Sequence, residues 1–373
     1  MSGEKTHDFA TDVLVDILLR LPPSCRRRAR LVCRHWRGAV DERTSEMRSR
    51  AVRTLISVKT RLTASGYVVD ELSGWRLKNR WAGSGGVHVV GTCNGLICLC
   101  DDAKPGGAVT LVNPVTGEGL VVPPLPRHRS SRRESWHEAY SFGYHPLTGR
   151  YKIVHVPGYL EPAATSDSID EVQVFTLGEA SWRSVPLPAA VRAIGCLGSG
   201  SVVSVDGTTY WLGMGGIDGK AAVSFDLGDE RLYATPLPVK AKPGVTLTVV
   251  RGRLGVALDR DGRTVVWVLQ EGRWRRRYIL RLGGSQRLVS PQFAHGKYVL
   301  TAVTREKWKP WRKESVLYGH ELGERRSFNV LQSKEPAVCN VEGYIHRTFA
   351  YVETREPLRV YETERLTTRS QDK

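Results

Sequence analysis

Two cysteines one residue apart, Cys98 and Cys100, stand in the apolar run GLICLC. On a strand, alternation points both thiols to one face, which is half the donor set of a structural zinc site. No second cysteine pair completes that set, so core packing is the favoured reading. Gly219-Lys220 carries the Gly-Lys of a phosphate loop. Met214 stands where that motif needs its first glycine, and Ala221 where it needs a hydroxyl, so the motif fails. The ten histidines are scattered without an H-E-x-x-H pair, Cys33 and His35 are mere neighbours, and there is no G-x-S-x-G elbow. The residues therefore predict no enzyme, no cofactor and no metal.

The other chemistry on offer is cationic and aromatic. Arg26-Arg27-Arg28-Ala29-Arg30 would put charge on most faces of a short helix. It reads as a contact for an acidic adaptor surface, a solvated face or a nuclear-import patch. Nucleic acid ranks third, because a bare arginine run supplies phosphate affinity without a base-reading element. Arg273-Trp274-Arg275-Arg276-Arg277 reads as an alternating strand with one solvated face. Lys307-Trp308-Lys309-Pro310-Trp311-Arg312 falls in an inter-strand loop, and tryptophan with arginine at a loop tip is the usual composition of a binding hot spot. The long irregular stretches 127–137 and 157–169 are further candidates. Arg132, Arg133, Trp136, Trp308 and Trp311 are the residues expected to meet a target.

Two kinds of element must position these residues. In TDVLVDILLRLPP, Val13, Leu14, Ile17, Leu18 and Leu21 share one helical face, which Pro22-Pro23 ends. A short second helix is predicted through Arg26–Arg30 and a third from about Ala29 to Val40, where Val32, Trp36 and Val40 recur every four residues. From about residue 52, short β-rich runs alternate with Gly, Pro, Asn and Asp. Six segments repeat one logic of apolar strand, polar turn with glycine and second strand: 67–78, 111–126, 172–188, 222–238, 265–280 and 316–332. A period of roughly 40–50 residues with four strands per unit is that of a β-propeller blade, since ringed neighbours cover the two faces one blade cannot bury alone. A β-sandwich pair or a solenoid of the same hairpins is the competing architecture. The expected fold is mainly β with a small N-terminal α domain: three helices over 1–50, about six four-stranded blades over 51–365, and a tail over 366–373. Pairing of 341–363 with strand 52–58 would close the ring.

The chain has 373 residues, 41% hydrophobic and 25% charged, which excludes wholesale disorder. Its net charge of +17 is concentrated in residues 20–61, where thirteen Lys/Arg face three acids. That bias suits acidic partners. Seven cysteines at irregular spacing argue against a disulfide framework and for a cytoplasmic or nuclear compartment. No apolar run approaches the ~20 residues of a membrane helix.

The N-terminal segment resembles an F-box. The residues that carry this are Val13-Leu14, Ile17-Leu18, Arg20-Leu21-Pro22 and Leu31-Val32-Cys33-Arg34-His35-Trp36-Arg37, with Phe9-Ala10 in place of the family's opening Leu-Pro. The remainder is similar to the F-box-associated or kelch-like β domains of plant F-box proteins. Its marks are Cys93-Asn94-Gly95-Leu96-Ile97, Asn113-Pro114-Val115-Thr116-Gly117 and Phe142-Gly143-Tyr144-His145-Pro146 followed by Gly149-Arg150-Tyr151-Lys152-Ile153-Val154. The resemblance implies a substrate adaptor of an SCF-type, cullin-based ubiquitin ligase. A Skp-type adaptor would be met by Phe9, Val13, Leu14, Ile17, Leu18, Leu21, Pro22, Leu31, Val32, Cys33 and Trp36. From pattern alone, these residues serve equally well as the internal core of three helices. Two other readings stay open: a kelch-like interaction module outside any ligase with a degenerate F-box, and a propeller hydrolase or glycan binder, which would need carboxylates converging on the axis.

Overall fold

The computed structural model describes residues 11–21, 25–26, 29, 32–40, 52–70, 76–126, 135–146, 148–156, 171–192, 202–215, 219–238, 244–250, 252–260, 263–282, 286–289, 298–306, 313–321, 328–331 and 337–362. The expected tail at 366–373 lies outside them.

Helix α1 (Thr11–Arg20) starts as its sequence predicts. Residues 25, 26 and 29 are helical, consistent with the short second helix. The last helix, α2 (Arg34–Gly38), begins about five residues later than its periodicity predicts. Cys33 is the cause: its backbone is extended and its Sγ accepts the Trp36 N–H at 3.5 Å, so it caps the helix. Val32 is therefore left in the preceding turn. Leu14, Leu18, Ala29, Ala39 and Val40 form a separate small core, with Val15, Leu21 and Trp36 packed against it.

The rest is a six-bladed β-propeller. Blade 1 holds β1 (Arg53–Lys59), β2 (Thr63–Asp70) and β3 (Arg76–Ser84). Blade 2 holds β4 (Val87–Cys93), β5 (Leu96–Asp101), β6 (Ala108–Val112) and β7 (Gly119–Val121). Blade 3 holds β8 (Tyr140–His145), β9 (Arg150–His155), β10 (Glu171–Thr176) and β11 (Arg183–Pro186). Blade 4 holds β12 (Val203–Val205), β13 (Thr208–Gly215), β14 (Gly219–Asp226) and β15 (Leu232–Pro236). Blade 5 holds β16 (Val245–Val250), β17 (Arg253–Arg260), β18 (Arg263–Gln270) and β19 (Arg273–Leu282). Blade 6 holds β20 (Arg287–Leu288), β21 (Tyr298–Glu306), β22 (Lys313–Glu321) and, past β23 (Phe328–Leu331), β24 (Ala337–Glu342). Strand β25 (Tyr344–Tyr351) returns to blade 1 and pairs antiparallel with β1, closing the ring as the sequence predicts.

Five of the six repeated segments are the outer hairpins β2–β3, β6–β7, β10–β11, β14–β15 and β18–β19. The sixth, 316–332, is a correction. Strand β22 pairs with β24 instead, and β23 leaves to lie parallel on β19 of the neighbouring blade. Among the described residues β19 is the longest strand, and its outer edge would otherwise present unpaired backbone groups.

Burial follows from blade faces. Each interface between successive blades has its own apolar cluster, as with Phe142 and Ile153 against Cys98 and Leu111 between blades 2 and 3. Innermost strands β25, β4, β8, β12 and β16 touch in turn around the axis. A segment after β25 straps across blade 2. The side chain of Asn113, fully buried, donates to the Glu356 carbonyl at 2.8 Å and accepts from the Val115 N–H at 2.9 Å. Glu118 accepts from the Leu358 N–H at 2.6 Å. The turn Asn94-Gly95 joins β4 to β5 with positive φ at both residues, and a Cβ on Gly95 would fall 2.5 Å from the Val352 carbonyl. The family-like motifs thus hold the closing segment in place.

Glu230 joins blades 3 and 4 by accepting from Lys152 Nζ at 2.6 Å and from Arg183. The Arg183 hydrogen bond outweighs burial and, with Lys152, lowers its carboxyl to about 2. Because that pKa is depressed, the stabilisation is complete above the ordinary carboxylate range and is lost as pH falls towards 2. Replacing Glu230 by Gln should lower unfolding stability by about 2 kcal/mol near pH 7, with a gap to the parent that narrows below about pH 4 in urea titrations. Asn113→Ala should cost about 2 kcal/mol in the same assay, since it removes the buried hydrogen bonds to the Glu356 carbonyl and from the Val115 N–H.

Candidate functional sites: a helical face and a histidine cluster at the ring seam

In the helical module, the expected adaptor-binding residues divide by exposure. Leu14 and Leu18 are 1% and 0% exposed, so they are core and do not present themselves to a partner. This corrects the expectation for those two, and the reason is the helical period: among the described residues they pack with Ala29, Ala39 and Val40 on the inner side of the helices. Val13, Ile17 and Val32 are 50%, 44% and 63% exposed. Val13 and Ile17 sit one turn apart on α1, a geometry that makes one apolar patch. Cys33 is also exposed, and Trp36 and Leu21 are half-buried. Phe9, Pro22 and Leu31 lie outside the described residues. Arg34 and Arg37 flank Trp36 with exposed positive charge, whereas Arg26 is buried.

Of the residues expected to meet a target, Arg132, Arg133, Trp308 and Trp311 lie outside the described residues. Trp136 is a correction. It opens a 3-10 turn, Trp136–Ala139, and is 5% exposed in the cluster between blades 2 and 3. Its indole packs a core, and Gly107 leaves room for it, since a Cβ there would meet the Trp136 Cβ at 2.7 Å. The 273–277 strand is as expected: Arg273, Arg275, Arg276 and Arg277 are exposed, while Trp274 turns in and donates to the Pro236 carbonyl at 2.8 Å.

On the axis, a cavity of about 150 Å³ is lined by innermost strands, with Thr92, Ser141, Ser204 and Phe349 among its walls. Among the described residues its lining contains no Asp or Glu. Its one charged group is Arg347, 8% exposed.

Beside it, at the seam where β25 meets blades 1 and 2, three histidines converge that the sequence scatters. His88 lies on β4, His346 on β25 and His137 in the turn before β8. Their ligand nitrogens lie within 4.8 Å of one another. The His88 and His137 rings stack, with centroids 3.6 Å apart, and His346 stands edge-on to both. Asp102 Oδ2 accepts from His137 Nδ1 at 2.6 Å, and its Oδ1 accepts the His137 N–H at 2.9 Å. Lys59 Nζ reaches His88 Nε2 at 2.5 Å. Burial, then the charge of His137, pushes His88 down to about 3. Burial, then the charge of Arg347, does the same to His346, to about 2. Both imidazoles are neutral at physiological pH. Nothing local marks these histidines, because their neighbours in sequence are ordinary strand residues.

The description "F-box associated beta propeller domain" matches residues 75–304, well over half of the chain. The chain belongs to this family. An F-box-like segment matches residues 11–45, which covers α1 and α2. Among curated relatives, F-box protein At3g07870 of Arabidopsis thaliana is 26% identical over 72% of this chain and 70% of its own length. F-box/kelch-repeat protein At3g23880 of the same plant is 25% identical over 71% and 76%. Among solved structures, TolB from Acinetobacter baumannii aligns over 80% of this chain and 66% of its own, at 10% identity and a TM-score of 0.46.

In this F-box propeller chain the thiols differ sharply. Cys25 and Cys33 are exposed, whereas Cys98 and Cys100 are buried in the blade 2–3 core, where burial pushes both thiols far up. Iodoacetamide should label Cys25 and Cys33 in the native protein and reach Cys98 and Cys100 only in denaturant, as read by peptide mass spectrometry.

Proposed function

We propose that this chain is the substrate-recognition subunit of an SCF-type, cullin-based ubiquitin ligase. Its helical module takes a Skp-type adaptor, and its propeller takes a target protein. The observation that carries this is the exposure of Val13, Ile17 and Val32 beside the small core of the module, within a segment that matches the F-box-like family. A patch of aliphatic side chains left in water is the usual sign of a protein interface. Exposed Arg34 and Arg37 beside it suit an acidic adaptor surface. The chain supplies no chemistry in this reading. It raises the local concentration of the target near a ubiquitin-conjugating enzyme carried elsewhere on the ligase. Arg132, Arg133, Trp308 and Trp311 remain the residues proposed for target contact. The compartment proposed is cytoplasmic or nuclear. Among the described residues no helix is long and apolar enough to cross a membrane.

The test is binding of the full chain to a purified Skp-type adaptor by biolayer interferometry. Ile17→Asp and Val32→Asp should each weaken binding by about 30-fold, roughly 2 kcal/mol, with an unchanged propeller melt. Val115→Asp, an exposed propeller position, should leave binding intact. Leu14→Arg should abolish binding by a different route, since an unpaired charge in the small core unfolds the module. Unchanged affinity in the Ile17→Asp/Val32→Asp double variant would rule out this face. No binding by the parent chain would favour a kelch-like module outside a ligase, the reading that Phe9-Ala10 permits.

A further inference from the structure

We propose that His88, His137 and His346 form a three-histidine site for a divalent transition-metal ion of the zinc class, with Asp102 orienting His137 from behind. The site would clamp the closing strand of the propeller to blade 2.

Four features of the seam support this. First, Asp102 Oδ2 accepts a hydrogen bond from His137 Nδ1, which orients the ring and leaves Nε2 as its other nitrogen. A carboxylate behind a histidine is the standard outer partner of a metal-bound imidazole. Second, that His137 side chain is 97% buried, at 3% exposure, and its Nε2 has no hydrogen-bond partner. His346 Nδ1 is likewise buried without one. Buried polar atoms are rarely left unpaired, so two in one cluster point to something that binds them. Third, the nitrogens lie within 4.8 Å of one another, whereas tetrahedral zinc at ~2.0–2.1 Å from each would hold them about 3.3 Å apart. Binding would also require the His88 ring to turn out of its stack on His137, so that both lone pairs converge on the ion. Fourth, a cation already stands there: the Lys59 ammonium touches His88 Nε2, and Asp102 Oδ2 is 3.3 Å from the same nitrogen. The cluster thus holds positive charge, and Lys59 is half-buried at the end of β1, where its long chain can swing out to solvent. Three protein ligands leave the fourth position to water.

The surrounding charges set the competition. Asp102 favours a metal, while Lys59 and Arg347 oppose it. His88 and His346 sit on β4 and β25, so an ion between them ties blade 2 to the strand that closes the ring. This site and adaptor docking lie on different modules, and each stands or falls without the other.

The test uses the full chain, stripped with chelator and titrated with Co²⁺, then competed with Zn²⁺. The expected result is one Co²⁺ per chain with visible ligand-field bands of tetrahedral imidazole coordination. Saturation at ~100-fold above Kd should raise Tm by about 2–4 °C. His137→Gln and His346→Gln should each lose at least 100-fold in affinity, and Asp102→Asn should lose 10–100-fold. Lys59→Met should bind more tightly than the parent, because the resident cation is gone. That gain is something a purely structural cluster would not show. Cys33→Ser/His35→Gln should bind like the parent, which excludes the exposed N-terminal donors. Far-UV circular dichroism checks the fold of each variant. Absence of saturable binding by the parent chain overturns the proposal whatever the variants do. So does undiminished affinity in a folded His137→Gln/His346→Gln double variant.

Discussion

The ring must close, and everything else in the propeller depends on that. A blade of four alternating strands has two apolar faces, and only a neighbour on each side removes both from water. Here every interface carries its own apolar cluster, so no blade has a core of its own. Closure is delegated to one antiparallel pairing, β25 on β1, between the two ends of the β domain. The strap beyond β25 secures it through Asn113, Glu118 and the Asn94-Gly95 turn. Those residues belong to the segments that carry the family resemblance, which gives the resemblance a mechanical cause. They hold the last strand of the ring where the ring needs it.

The helical module obeys the opposite economy. Among the described residues its core consists of two leucines, two alanines and a valine, with three further side chains leaning on it. A unit of about 40 residues cannot bury all of its apolar surface alone. The module leaves Val13, Ile17 and Val32 in water, as the propeller leaves Leu62 and Val121. On the proposed function, these three side chains of the module are the ones an adaptor would cover.

How far residues disclose this architecture depends on how local the cause is. The outer hairpins were readable because each is a strand, a glycine-bearing turn and a strand, with all determinants inside some fifteen residues. The same logic failed for 316–332, since nothing in Phe328–Leu331 says that its partner is β19 of another blade. Trp136 sits among arginines and reads as a loop residue, yet a 3-10 turn and the missing side chain of Gly107 turn it inward. The apolar face of α1 was visible as a stripe. Which of its residues face the core and which face water depends on where the other helices lie. The histidine cluster was the least legible feature. His88, His137 and His346 come from blades 2 and 1 and the turn before blade 3, and only closure of the ring brings them together.

That the polar cluster sits at the seam follows from what the seam has to specify. Strand β25 finds β1 across nearly the whole length of the β domain, with no short turn to set its register. Hydrophobic alternation alone would constrain it weakly, because Thr348 is as buried as Ile345 and Phe349. A slip of one residue reverses every side chain between the two faces. It would take His346 away from His88 and His137 and withdraw Arg347 from the axial cavity, leaving buried polar groups without their surroundings. Such a penalty, of order 1–3 kcal/mol for each stranded group, falls on the misregistered ring and spares the correct one. The seam therefore adds polar chemistry to its apolar clusters, because β25 must choose its register on β1 without a hairpin.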